Sequence, residues 1–142
     1  MSPAMDRSDR GSVLMLMPAA VLIVVILGAM AVDRAVVFGA QRDLIATAQA
    51  AANDAASLGV SIDHLRSDGE VEADIAAMEA AVDTAMVAAE PGTTVSWWLE
   101  GDEVVIELAR DVALVFSPGV PGAPRSQEIT ARASAELRLS DP

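Results

Sequence analysis

Between Arg10 and Asp33 the chain carries no formal charge, and the 20 residues from Val13 to Val32, VLMLMPAAVLIVVILGAMAV, are nearly all apolar. At 1.5 Å per residue a helix of that length reaches about 30 Å, the thickness of a bilayer's hydrocarbon core. A helix is the one open-ended segment that satisfies its own backbone in lipid. Pro18 stands near the start, where a missing N–H costs least, and Gly28 is tolerated in such a setting. A transmembrane helix is therefore expected. The competing reading is a secretory signal: Ala29-Met30-Ala31 has the small-x-small form of a cleavage site. Removal of residues 1–31 would then release an exported soluble binding domain. The run exceeds the roughly 7–15 apolar residues of a signal, and the helical pattern continues beyond the cut, so a retained anchor is favoured.

Charge is segregated from this run. The chain of 142 residues has a net charge of −12, and residues 33–142 hold 7 Arg against 19 Asp plus Glu. Nothing in that balance can neutralise a phosphate ladder, so no nucleic acid is expected as a partner. Anionic lipid would repel the acidic part rather than recruit it. The Arg count does not orient the span, with Arg7 and Arg10 before it and Arg34 and Arg42 after it. A short tail inside and a large C-terminal part exported is the expected arrangement.

Residues 34–58 continue without Pro and place Leu44, Ala48, Ala51, Ala55 and Leu58 at 4-3-4-3 spacing, a stripe along one helix face. With 28 Ala but only 3% aromatic residues in the chain, the stripe invites close approach of whatever packs on it. Gly59 is the expected stop. Ala31, Ala35 and Gly39 recur at i, i+4 and i+8 across the membrane exit, a spacing that lets helices pack closely in lipid.

Ser67-Asp68-Gly69-Glu70 has the form of a capping box, and Val71, Ile75, Met78, Val82 and Met86 form the apolar face of a second helix, ended by Glu90-Pro91-Gly92. The period then changes to 2. Val95, Trp97 and Leu99 alternate with Ser96 and Trp98. A turn at Glu100-Gly101-Asp102-Glu103 leads to Val104, Ile106 and Leu108, and the run reaches Val112, Leu114 and Phe116 after an expected bulge. The Pro- and Gly-containing Ser117–Arg125 reads as a loop, and Gln127–Leu139 as a strand whose inner face carries Ala131, Ala133 and Ala135. Such an Ala-lined face fits a helix lying close across the sheet.

The fold class expected is α+β: a long N-terminal transmembrane helix continuing into a small domain with a second helix and an antiparallel sheet of about three to four strands. The divisions are a cytoplasmic tail at 1–12, the span at 13–32, a helix extension at 33–59 and an extracytoplasmic helix-plus-sheet domain at 60–142.

The succession of Asp9-Arg10-Gly11-Ser12, an apolar span with an early Pro18, Asp33 at its end, and an Ala-rich helix from Gln41-Arg42-Asp43-Leu44 to Ala55-Ala56 resembles the TadE/TadG-like proteins of the tight-adherence (Flp) pilus assembly system. The alternating Val-rich strands that end in an Ala-rich one are similar to that family's C-terminal part. The resemblance implies a non-enzymatic, single-pass protein of the cytoplasmic membrane, with its partners the membrane lipid and other helices of a pilus or secretion assembly. It also implies a candidate processing site between Gly11 and Ser12, where some members are cut like prepilins. Their pattern carries Glu five residues after the cut, and here that residue is Leu16. The carboxylate that would pair with a neighbour's new amino terminus is absent, so an anchored accessory or minor pilin-like component is expected rather than a filament-building subunit.

Chemistry-bearing motifs are sparse. The sole His64 has Asp63, Asp68, Glu70 and Glu72 nearby, but Leu65 and Asp68 break the calcium-loop template, and a solvated loop is expected. No Cys is present, and no His-Glu-x-x-His, Gly-x-Ser-x-Gly or phosphate-loop pattern occurs. No catalytic residue, cofactor, metal or small-molecule substrate is therefore expected. Trp97-Trp98 is the one aromatic concentration; adjacent strand residues face opposite ways, so one ring belongs to the core and Trp98 is the candidate for a partner surface.

Overall fold

The computed structural model describes residues 8–59 and 74–137, with side chains of the first helix from Leu16 onward. The His64 group, the Ser67–Glu70 capping box, Val71 and Leu139 lie outside them. The elements run in the order α1 (Ser8–Leu58), α2 (Ile75–Ala88), β1 (Thr94–Glu100), β2 (Glu103–Ala113), a 3-10 turn (Ser117–Gly119) and β3 (Ser126–Glu136). This is the expected α+β architecture, with three strands.

Helix α1 is one uninterrupted rod of 51 residues with Pro18 inside it, about 75 Å long at 1.5 Å per residue. It begins at Ser8, within the segment expected to be a tail. No break separates the apolar span from the extension, so the two are a single element. The helix is long and apolar enough to cross a membrane. From Leu16 to Val32 its side chains are exposed apart from the half-buried Ala29, whereas Val37, Leu44, Ala48, Ala51, Ala52, Ala55 and Ala56 are buried. Lone helices of Ala-rich sequence are marginal in water; here the buried stripe ties the solvated half to the sheet and to α2.

The sheet is an antiparallel meander in the order β1-β2-β3. Gly101, at φ +69°, opens the two-residue β1–β2 turn, the conformation that a type II′ hairpin asks of its first central residue. Strand β2 pairs with β3 without interruption from Glu103↔Glu136 to Ala113↔Ser126. The expected bulge is absent: Val104, Ile106, Leu108, Arg110, Val112 and Leu114 simply keep one parity, and Arg110 occupies an inner position. Ile129, Ala131 and Ala133 are buried on β3 beneath α1, where the missing side-chain bulk lets the helix backbone come close. Gln41 donates from Nε2 to the Thr130 carbonyl at 2.6 Å and fixes the helix along that strand.

Helix α2 starts later than the sequence pattern implies. Asp74 has φ −85° and ψ 89°, outside helical geometry, and its side chain accepts the Ala77 N–H at 3.0 Å. An N-cap carboxylate of this kind satisfies one of the orphan donors and ends the helix there. Met78, Ala81 and Val82 are its buried face, but Ile75 is exposed. Leu58 is also exposed, contrary to its place on the stripe, and Met78 packs against the adjoining Gly59. A Cβ at Gly59 would run into the Met78 side chain and stand 2.8 Å from the Ala55 carbonyl. Gly59→Ala is accordingly expected to destabilise the fold by about 1–3 kcal/mol, as overpacking does, measurable as a lower denaturation midpoint.

Candidate functional site

The one charged residue buried among the described ones is Asp33, the first residue past the apolar run. At 100° per residue it lies in phase with Val37, Leu44 and Ala48, so the stripe that binds the sheet begins with a carboxylate. The carboxylate is fully occupied. Oδ1 accepts the N–H groups of Val115 at 2.7 Å and Phe116 at 2.9 Å, and Oδ2 accepts the Ser117 N–H at 2.8 Å and its hydroxyl at 2.6 Å. Three successive backbone donors at the start of a 3-10 turn form a small anion-binding nest, filled here by the chain's own side chain. Hydrogen bonds from the Ser117 hydroxyl and then the Phe116 amide lead in lowering the Asp33 pKa to about 2, against an opposing effect of burial. The contact ties residues 82 to 84 positions apart.

This clamp holds the β2–β3 connection against the end of the span. Phe116, Ser117 and Val120 line a recess with Ile26, Ala29, Met30 and Asp33, and a neighbouring recess joins Arg34, Leu114 and Pro124 to the same collar. The sequence pattern carries the strand through Leu114 and Phe116 and opens the loop at Ser117, whereas β2 ends at Ala113 and Val115 and Phe116 turn their amides to Asp33; nothing in the pattern links them to that residue. The available signal was an acid in register with an otherwise apolar stripe.

Ala31, Ala35 and Gly39 are all exposed, and an added Cβ at Gly39 would meet nothing within 4 Å. Ala31 and Ala35 stand about 160° around the helix from Asp33, so this small-residue face points away from the domain. Phe38 and Ile45 are exposed on the same side and were not singled out by the sequence pattern. Gly11 and Ser12 fall within the first turns of α1, with side chains outside the described residues.

The two Trp residues divide as strand geometry requires. Trp97 packs partly buried against the core, and Trp98 is exposed on the open face of the sheet. Arg132 reaches from β3 across β2 to stand 5.1 Å from the Trp98 ring centroid and 3.1 Å from a Glu100 carboxylate oxygen. That diagonal passes over Val105, which is registered between Trp98 and Ser134 and is buried although it faces outward. The cluster thus roofs one apolar residue, and its exposed ion pair adds little more.

Among the described residues no three His, Asp or Glu side chains converge in a metal-binding arrangement. The recess between α1 and α2 is lined by Leu58, Ala77, Ala80, Ala81 and Thr84 with a single carboxylate, Asp54. Trp98, the Ala31-Ala35-Gly39 face and the Asp33 collar lie apart and form no common pocket. No protein-family model, curated protein or solved structure matches the chain.

Proposed function

We propose that the chain is a retained single-pass membrane protein with a structural, non-enzymatic role, an accessory or minor pilin-like component of tight-adherence (Flp) pilus assembly or secretion, its acidic domain held outside the cytoplasmic membrane. The observation that carries the anchored reading is the continuity of α1: the helix that forms the span also supplies the buried stripe on which the sheet packs. A cut after Ala31 would strip Ile26, Ala29 and Met30 from the collar that holds Phe116 and Val120. It would also leave Asp33 at a frayed terminus. The assembly role is supported by the resemblance to TadE/TadG-like proteins and by the uncovered face of Ala31, Ala35 and Gly39, which suits a neighbouring helix.

Intact mass of the protein taken from its native membranes is expected to include the span. Loss of residues 1–31 would sink the anchor in favour of an exported binding domain; loss of residues 1–11 would establish cleavage between Gly11 and Ser12. Cells lacking the chain are expected to lose surface pili, and unaltered piliation would refute the assembly role alone. Trp98 is the proposed partner-facing residue of the domain. Trp98→Ala is expected to cost about 1 kcal/mol of stability through loss of the Arg132 contact. It should also reduce co-purification of the assembly partners, and unchanged co-purification would remove that role.

A further inference from the structure

The loop clamped by Asp33 has the composition of a membrane contact. The chain is uncharged from Val112 to Pro124, although 21% of its residues are charged. Within that stretch Val115, Phe116 and Val120 expose 58%, 49% and 59% of their surfaces. Exposed apolar side chains scattered singly need no explanation, but these three sit on one short loop beside the exposed apolar span. The recess that Phe116 and Val120 share with α1 extends back to Ile26, seven residues before Asp33, or about 10 Å along the helix axis. If Val32 marks the end of the hydrocarbon-spanning segment, the loop lies at and below that level.

We propose that the Val115–Val120 loop is a second, interfacial membrane contact: its apolar side chains enter the headgroup and acyl-chain boundary beside α1, while Asp33 holds their backbone. The inference rests on the reading of α1 as a retained anchor. Lipid is the occupant that the geometry favours, because the loop's apolar surface is continuous with that of the span. Every loop N–H that would be expensive to leave bare in the boundary region at Val115, Phe116 and Ser117 is already donated to Asp33. The acidic domain's repulsion from anionic headgroups does not oppose this arrangement decisively. The span already tethers the loop at the surface, so no recruitment from solution is required. Arg34 lines the recess beside the collar, and Arg125 follows the uncharged stretch directly in sequence; cations at such positions suit lipid phosphates.

The absence of Cys allows a direct test in the full chain reconstituted in phosphatidylcholine vesicles. Single Cys replacements carrying a nitroxide are placed at Phe116 and Val120, with Leu27 as the reference for the span and Val87, 88% exposed, as the reference for water. Collision with oxygen against a water-soluble nickel chelate gives each label's depth. Labels at Phe116 and Val120 are expected to share the lipid-side sign found at Leu27. A water-side sign at both, with Leu27 still embedded, would overturn the loop contact and leave the anchor intact. Shielding from both reagents would overturn it in favour of a protein neighbour. A water-side sign at Leu27 would overturn the anchor and the loop contact together. In Asp33→Asn the labels at Phe116 and Val120 are expected to shift toward water while Leu27 stays unchanged; depths unaltered by the substitution would overturn the role given to the clamp.

Discussion

Asp33→Asn is expected to free the amides of Val115, Phe116 and Ser117 to exchange with solvent while the β2–β3 ladder stays protected. The substitution keeps the side chain's size but puts an NH2 group where one carboxylate oxygen stood. Whichever way the amide is turned, at least one backbone N–H that pointed at an acceptor then faces a donor. The charge that strengthened the remaining bonds is lost as well. Hydrogen exchange of the full chain in nanodiscs, read amide by amide, checks the outcome; protection unchanged at all three positions would refute the clamp. Acid should reproduce the effect in the wild type. The Asp33 pKa is lowered from 3.8 to about 2, so the clamp's stabilisation is fully present above the unfolded-state value. It fades as pH falls through the interval between the two values and is gone below the lower one. Protection of the three amides should therefore persist in mildly acidic solution and collapse only near pH 2.

The second large effect belongs to the core. Ile106 is fully buried on the central strand, registered between Trp97 on β1 and Ala133 on β3. Ile106→Ala is expected to cost about 2–5 kcal/mol. The upper part of that range applies where a site cannot collapse, and here Ala133 and the Ala-lined face of α1 have no long side chains to swing into the cavity. Against a typical domain stability of about 5–15 kcal/mol, such a loss leaves little margin. Trp97 fluorescence in a denaturant titration is a convenient reporter because the ring lies beside the lesion. Val87→Ala, on the exposed side of α2, is the control and should stay within about 0.5 kcal/mol of the wild type.

Much of this domain is written in local periodicity. The spacing of Leu44, Ala48, Ala51 and Ala55 located the buried side of α1, and strict alternation from Ile129 to Ala135 located the inner face of β3. Both signals work because they depend only on helix and strand geometry. One local expectation gives way in the structure: Leu58, on the stripe, is exposed, and Met78 lies against the adjoining Gly59. Helix α2 has its N-cap at Asp74, while Ser67–Glu70 lies outside the described residues. The collar was illegible for a different reason. Asp33 reads as a charge marking the end of a hydrophobic run, and Val115-Phe116 as the tail of an alternating strand that runs into the loop at Ser117. Their pairing across more than 80 positions leaves no periodic trace. The open side of the sheet was half legible: strand alternation put Trp98 outside, but only the fold brings Arg132 across to it.

Because α1 has no joint between its apolar and solvated halves, the azimuth of the span dictates where the domain stands. The sheet lies on the Asp33 side, and Ala31 and Ala35 look the opposite way. Two copies joined back to back along that small-residue edge would carry their domains at opposite flanks of the pair, like oars shipped to either side. Each domain is rich in carboxylates, so that layout keeps the like charges as far apart as the rods permit. The same stiffness makes the helix a pointer: turning it by one residue about its own axis swings the domain through about 100°.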